Sequence, residues 1–182
     1  EVNSLYTADV TRTLPVNGHY TDAQRRVYEV VLAAQEAGIA ACRAGNGFLD
    51  PHRAAIRVIA EFLAEIGVLP CSVEETLADD GGYHRRWMVH GTSHHLGLDV
   101  HDCAAARREK YRDAELLPGM VITVEPGLYF KSTDLLVPEE YRGIGVRIED
   151  DILITEGDPE NLSASLPRAS RDVEAWLARL KN

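Results

Sequence analysis

The segment HGTSHHLGLDVHD, His90 to Asp102, gathers four of the chain's seven histidines and two aspartates into thirteen positions, with Gly91 and Gly97 set between them. Imidazoles at this density suit metal binding, proton transfer or hydrogen bonding to a substrate. His90 and His94 stand four apart, as in the HExxH zinc helix. Gly91 holds the place of the general-base glutamate there, and Gly97 breaks any helix that could follow, so the zinc-helix reading fails. A Ser93-His94-Asp99 triad fails as well. Adjacent side chains on extended backbone point to opposite faces, and no GxSxG motif surrounds Ser93.

The acids add a second pattern. Glu125 lies within VITVEPGLY, Glu149 within GVRIEDDIL and Asp9 within YTADVTRT, each inside a β-branched run where an unpaired charge would be costly. Taken singly, each has an ordinary explanation. An acid in a strand usually faces solvent or a salt-bridge partner, and Arg147 sits two residues before Glu149 on the same strand face. His90 and His101, likewise, read singly as hydrogen-bonded structural histidines. Taken together, three embedded carboxylates and one imidazole match an oxygen-rich site for a divalent cation such as manganese, cobalt or zinc.

The elements that must position these groups are also legible. Leu5 to Leu14 alternates and is rich in Thr and Val, which predicts a strand ended by Pro15, Asn17 and Gly18. Thr21 with Gln24 forms a capping box for a helix whose stripe is Val27, Val30, Val31, Ala34, Ala37 and Ala41, stopped at RAGNG. A second helix begins after Asp50 with Pro51 in its first turn, turns Ala55, Ile59, Phe62, Leu63 and Ile66 inward, and closes at Gly67. From Gly81 onward the chain reads as strands and loops. MVITVEPGLYF, entered through a Pro118-Gly119 turn, and GIGVRIEDDILIT are the principal strands, and Ser170 caps a last helix through Leu180. Helices first and strands later predict an α+β fold, with helices covering one face of an antiparallel sheet.

Composition sets the outer bounds. At 182 residues, 45% hydrophobic and 26% charged, the chain is expected to form one globular domain without a repeat or a low-complexity segment. A net charge of −10 argues against a nucleic-acid partner, and no apolar stretch is long enough for a membrane span. Cys42, Cys71 and Cys103 are odd in number and far apart, which suits neither a disulfide framework nor a cysteine zinc site; the expected compartment is the cytoplasm. The first residue is Glu1 rather than Met, so a fragment or a processed product is expected.

Four segments, YTADVTRTLPVNG, HGTSHHLGLDVHD, PGMVITVEPGLYF and GIGVRIEDDILIT, resemble the catalytic domain of the Xaa-Pro aminopeptidases (aminopeptidase P) within the pita-bread metallopeptidases, family M24. The likeness runs from Glu1 to about Leu166, and VPEEYRGIGVRIEDD favours this branch over methionine aminopeptidase and creatinase. The resemblance implies a pita-bread fold and two divalent ions, manganese first, with zinc or cobalt as alternatives. A bridging water or hydroxide would attack the carbonyl of a Xaa-Pro bond and release the first residue of the peptide. Asp9 and Glu149 would bridge the ions, and His94 and Glu125 would complete the first. Glu125 would also take the proton of the attacking water, while His90 and His101 would line the cleft as hydrogen-bond donors and Arg147 would shape the side that receives proline.

Three alternatives stay open, a Xaa-Pro dipeptidase (prolidase), a peptide-binding module of the same fold and an inactive fragment. Against the module, all of Asp9, His94, Glu125 and Glu149 are retained. The family has a further metal-binding Asp roughly eleven or twelve residues ahead of Asp9, opposite it on a strand pair, and that position falls before Glu1. Residues 1–182 are therefore expected to form the C-terminal part of the catalytic domain, incomplete at its N-terminus and without the family's N-terminal domain. Such a chain would hold at most one ion tightly and act poorly alone. Its expected partners are a peptide with proline second, copies of itself in a homo-oligomer, or its own N-terminal fragment. His95 departs from the large apolar or aromatic residue frequent there and is expected to line the cleft, with a solvent-facing imidazole as the alternative.

Overall fold

The helix signals translate directly into structure in the computed structural model, which describes residues 3–180. The Thr21 hydroxyl accepts the Gln24 N–H at 3.2 Å and the Gln24 side chain accepts the Thr21 N–H at 3.0 Å, capping α1 (Asp22–Ala40). α2 (Asp50–Glu65) carries Pro51 in its first turn and ends ahead of Gly67, whose φ of +74° continues no helix. The two helices pack together through Val27, Val31, Ala55, Ile59, Phe62 and Leu63, all buried. Gly38 lies where α1, α2 and the sheet converge. A Cβ there would come within 2.9 Å of Val124 Cγ1 and 3.3 Å of the Pro51 carbonyl. α3 (Val73–Leu77) is a short turn of helix capped by Ser72.

Each long apolar run divides at its embedded acid. The first gives β1 (Val121–Val124) and β2 (Gly127–Tyr129), and the second gives β3 (Gly145–Arg147) and β4 (Asp150–Leu153). β1 pairs with β4 and β2 with β3, both antiparallel, in one shared register: Val124 lies opposite Asp150, and Gly127 opposite Arg147. Continued through the gap, that register sets Glu125 opposite Glu149. Pro126 lacks the N–H a ladder needs, and like charges directly opposite repel, so the pairing opens there. β5 (Glu160–Asn161) joins the outer side of β4, and α4 (Ser170–Leu180) packs on α1 through Val173.

Two irregular segments complete the sheet. The histidine segment runs along the free edge of β1: Leu96 N–H reaches Val121 O at 3.0 Å, Thr123 N–H reaches His94 O at 3.0 Å, and Glu125 N–H reaches Thr92 O at 2.8 Å. The expected strand from Leu5 to Leu14 does not form. Leu5 has φ +65°, and the segment divides its bonds between two neighbours, Thr7 N–H to Gly97 O at 2.8 Å and Glu149 N–H to Thr11 O at 3.0 Å. Alternation in the sequence says that a segment is extended; it does not say that one partner runs beside it long enough for a ladder. These bonds close a circuit of four chains, from the histidine segment through β1 and β4 to the N-terminal segment and back through Thr7 and Gly97.

A buried charge network ties the circuit to the core. Asp150 has no exposed surface and receives Arg12 Nη2 at 2.7 Å, Gln35 Nε2 at 3.1 Å and Asn161 Nδ2 at 3.0 Å. Arg12 Nη1 meanwhile donates to the carbonyls of Thr11 (3.0 Å) and Glu149 (2.8 Å), holding the N-terminal segment against β4. Removing one partner of a buried ion pair strands the other charge, so Asp150→Ala should destabilise the fold by about 3–5 kcal/mol in urea unfolding. A loss below about 1 kcal/mol would mean that Arg12 finds another partner.

Candidate metal centre

Each chain of the circuit turns one metal-binding type of side chain inward. Ligand atoms of Asp9, His94 and Glu149 lie within 4.8 Å of one another. Glu125 Oε1 and Asp9 Oδ2 each stand 3.5 Å from His94 Nε2. His94 Nδ1 lies 3.1 Å from the His95 carbonyl, which can only accept, so the hydrogen of the neutral ring sits on Nδ1. The Nε2 lone pair therefore faces carboxylate oxygens. Such a convergence of acceptors is relieved by a shared proton or by a cation. Burial, reinforced by Glu149, pushes the Glu125 carboxyl up to about 8, and burial raises that of Glu149 as well. One imidazole nitrogen among carboxylate oxygens fits a divalent ion of the manganese, zinc or cobalt kind.

The surrounding bonds fix these groups in place. The His94 N–H donates to Thr123 Oγ1 at 3.1 Å, and the Asp9 N–H reaches both Asp151 carboxylate oxygens at 3.3 Å. Thr92, whose carbonyl holds the Glu125 N–H, has its own hydroxyl 2.8 Å from His52 Nδ1. Burial drives His52 down to about 4, which keeps that imidazole neutral. Thr11 donates to Glu149 Oε2 at 2.6 Å.

The remaining residues singled out by sequence lie around the cluster. His101 is exposed, its ring edge-on to His94 at 4.5 Å between centroids, and both line a cavity of ≈ 420 Å³ with Arg108, Tyr111 and Arg112. His90 does not join the cluster. Its Nδ1 lies 2.7 Å from the Gly91 carbonyl, so in the neutral ring Nε2 accepts from the Tyr129 hydroxyl at 2.6 Å. Tyr129 folds back over Gly127, where any side chain would collide with its ring. Arg147 donates twice to Thr11 Oγ1, at 3.1 and 3.0 Å, and lies 3.7 Å from Glu149 Oε2. Glu149 thus meets both Arg147 and the cluster.

His95 corrects the expectation of a cleft-lining imidazole: it stacks on Phe48 at 5.0 Å and takes the Tyr111 ring edge-on at 4.8 Å. Strand alternation explains this, because His94 and its neighbour must face opposite ways. Thr11 and Thr123 escaped the sequence reading although each stands two residues from an acid in extended chain, on the same face. Tyr129 and Asp151 carried no comparable local signal.

Comparison with known proteins places this arrangement. Residues 1–156 match metallopeptidase family M24. The chain is 60% identical over 181 residues to Xaa-Pro aminopeptidase 1 of Streptomyces coelicolor, covering 100% of this chain and 36% of that protein. It is 46% identical over 172 residues to Xaa-Pro aminopeptidase of Escherichia coli, covering 94% of this chain and 38% of that one. Among solved structures, Pseudomonas aeruginosa aminopeptidase PepP aligns with a TM-score of 0.89 at 37% identity, over 97% of this chain and 39% of the other. Zinc-substituted E. coli aminopeptidase P in complex with product aligns at 0.87 and 44% identity, over 96% and 39%. The fold is thus the α+β pita-bread fold of aminopeptidase P, and the chain spans little more than a third of the length of these relatives. Among the described residues no helix is long and apolar enough to cross a membrane.

The clustered acids make the metal-free fold sensitive to pH. Glu125 moves from 4.5 to about 8 on folding, so its neutral form stabilises the fold at low pH and that contribution is lost as pH rises toward 8. His52 acts oppositely: lowered from 6.5 to about 4, its contribution is present above 6.5 and lost on acidification. Between pH 6.5 and 8 the carboxyls therefore dominate. The thermal midpoint of the chelator-stripped protein should fall across that window, and Glu125→Gln should flatten the slope. A wild-type midpoint that rises across the window would contradict the assignment.

Proposed function

The chain belongs to metallopeptidase family M24, and from that premise we propose that it is the metal-binding part of an aminopeptidase that releases the first residue from peptides with proline in second position. The observation that carries this reading is the convergence of Asp9, His94 and Glu149 within 4.8 Å, with Glu125 Oε1 3.5 Å from the same imidazole. The names of the relatives, Xaa-Pro aminopeptidases at 60% and 46% identity, supply the substrate class. Residues 1–182 then form the C-terminal part of a pita-bread catalytic domain.

Asp9, His94, Glu125 and Glu149 would hold divalent cation, manganese first and zinc or cobalt as alternatives, with no more than one ion held tightly by these four residues. A cation bound there supplies Lewis acidity and makes water a nucleophile near neutral pH. The chain's own groups do the rest. Glu125, whose Oε1 stands 3.5 Å from His94 Nε2, takes the proton of the attacking water. His101, exposed at the cavity it shares with His94, donates to the oxygen of the scissile carbonyl. His90 and the Tyr129 hydroxyl bound to it line the cleft, and the exposed side of the Arg147 guanidinium shapes the proline side.

With manganese, the intact protein to which this chain belongs should cleave Xaa-Pro-Xaa peptides at the first bond and leave the matching Xaa-Ala peptides largely intact. Cleavage of tripeptides separates an aminopeptidase from a dipeptidase. His101→Ala should lower turnover by about 10²- to 10³-fold with bound metal unchanged. Equal hydrolysis of Xaa-Ala peptides would refute the specificity, and lost metal in the His101 variant would move that residue into the ligand set.

A further inference from the structure

The Thr11 hydroxyl occupies a position that neither the metal ligands nor the substrate groups account for. It donates to Glu149 Oε2 at 2.6 Å and accepts from Arg147 Nε and Nη2 at 3.1 and 3.0 Å. A hydroxyl has one hydrogen and two lone pairs, so its capacity is filled. The two guanidinium donors also settle its direction: with both lone pairs engaged, the hydrogen can only point at Glu149. The backbones are locked beneath this contact, because the Glu149 N–H donates to the Thr11 carbonyl at 3.0 Å and Arg12 Nη1 to the same carbonyl at 3.0 Å. Glu149 is 1% exposed, so water cannot take over the orienting role.

We propose that Thr11 is a positioning residue of the metal centre: its hydroxyl, aligned by Arg147, sets the rotation of the Glu149 carboxylate and thereby the affinity for the cation. The inference rests on the metal reading above. A carboxylate held by one oxygen presents the other in a defined direction, whereas a free one must be ordered by the ion itself. Groups that orient ligands in this way are worth about 10- to 100-fold in metal affinity. The Thr11 methyl group, by contrast, offers nothing to a cation.

The test separates the hydroxyl from the methyl group. Manganese titration by calorimetry is carried out on the metal-stripped full chain as the cell produces it, for wild type, Thr11→Val and Thr11→Ser. The valine variant should bind manganese about 10- to 100-fold more weakly, and the serine variant within about threefold of wild type. Circular dichroism checks each fold, and Thr11→Ala replaces Thr11→Val if the latter does not fold. Wild-type affinity in the valine or alanine variant would overturn the proposal, as would a serine variant as weak as valine. A wild-type protein that takes up no manganese would instead remove the metal reading, and this inference with it.

Discussion

Two glutamates meet at one level of a single antiparallel ladder, and the rest of the site is arranged around that repulsion. The shared register of β1 with β4 and β2 with β3 leaves Glu125 and Glu149 facing each other across a gap in the pairing. An ordinary sheet would place a small or opposite-charged residue there. Here the ladder opens, and the chains on either side bring further acceptors rather than a neutralising lysine. The histidine segment delivers His94 beside Glu125, and the N-terminal segment delivers Asp9 beside Glu149. Since those two segments also bond to each other at Thr7 and Gly97, the acids cannot relax by moving apart.

The three consecutive acids Glu149, Asp150 and Asp151 show how one strand serves two purposes. Alternation sends Asp150 to one face and its neighbours to the other. Asp150 is satisfied by protein alone, through Arg12, Gln35 and Asn161, and needs no ion. Asp151 accepts the Asp9 N–H, and burial lifts it to about 6. Glu149 has the Thr11 hydroxyl, a 3.7 Å approach of Arg147 and the nearby His94 to set against Asp9, Glu125 and its own burial. A buried acid with a full set of donors is structural; its neighbour, short of donors and facing other acids, is the one that asks for a cation.

What could be read from the sequence follows the range of the interactions involved. The capping box of α1, the Pro51 start and Gly67 stop of α2 and the apolar stripes are local, and they stand where the residues predict. The embedded acids were legible because burial makes an isolated charge conspicuous. The circuit that unites them was not, since pairing Glu125 with Glu149 or Thr11 with Glu149 joins residues far apart in the chain, and no local pattern encodes a register. Reading MVITVEPGLYF as one strand erred for a related reason. Apolar character persists through Glu125 and Pro126 while the hydrogen bonding does not. The strand expected from Leu5 to Leu14 erred because extended backbone becomes a strand only where a neighbour runs beside it. His95 looked like chemistry by type, and the parity of its position turned it onto the Phe48 and Tyr111 rings.

Preorganisation then decides what a cation would gain at this site. Every one of the four proposed ligand residues has its own backbone N–H committed: Asp9 to the Asp151 carboxylate, His94 to the Thr123 hydroxyl, Glu125 to the Thr92 carbonyl and Glu149 to the Thr11 carbonyl. The His94 tautomer is fixed by the His95 carbonyl before any metal arrives. Little conformational entropy is left to lose on binding, so ordering the ligands is not the main opposition to metal uptake. The energy already invested is electrostatic, in carboxylates held close by backbone bonds that the core anchors through Arg12 and Asp150. A divalent cation would relieve that repulsion. Binding and fold stability are thereby coupled through charge rather than through a disorder-to-order transition.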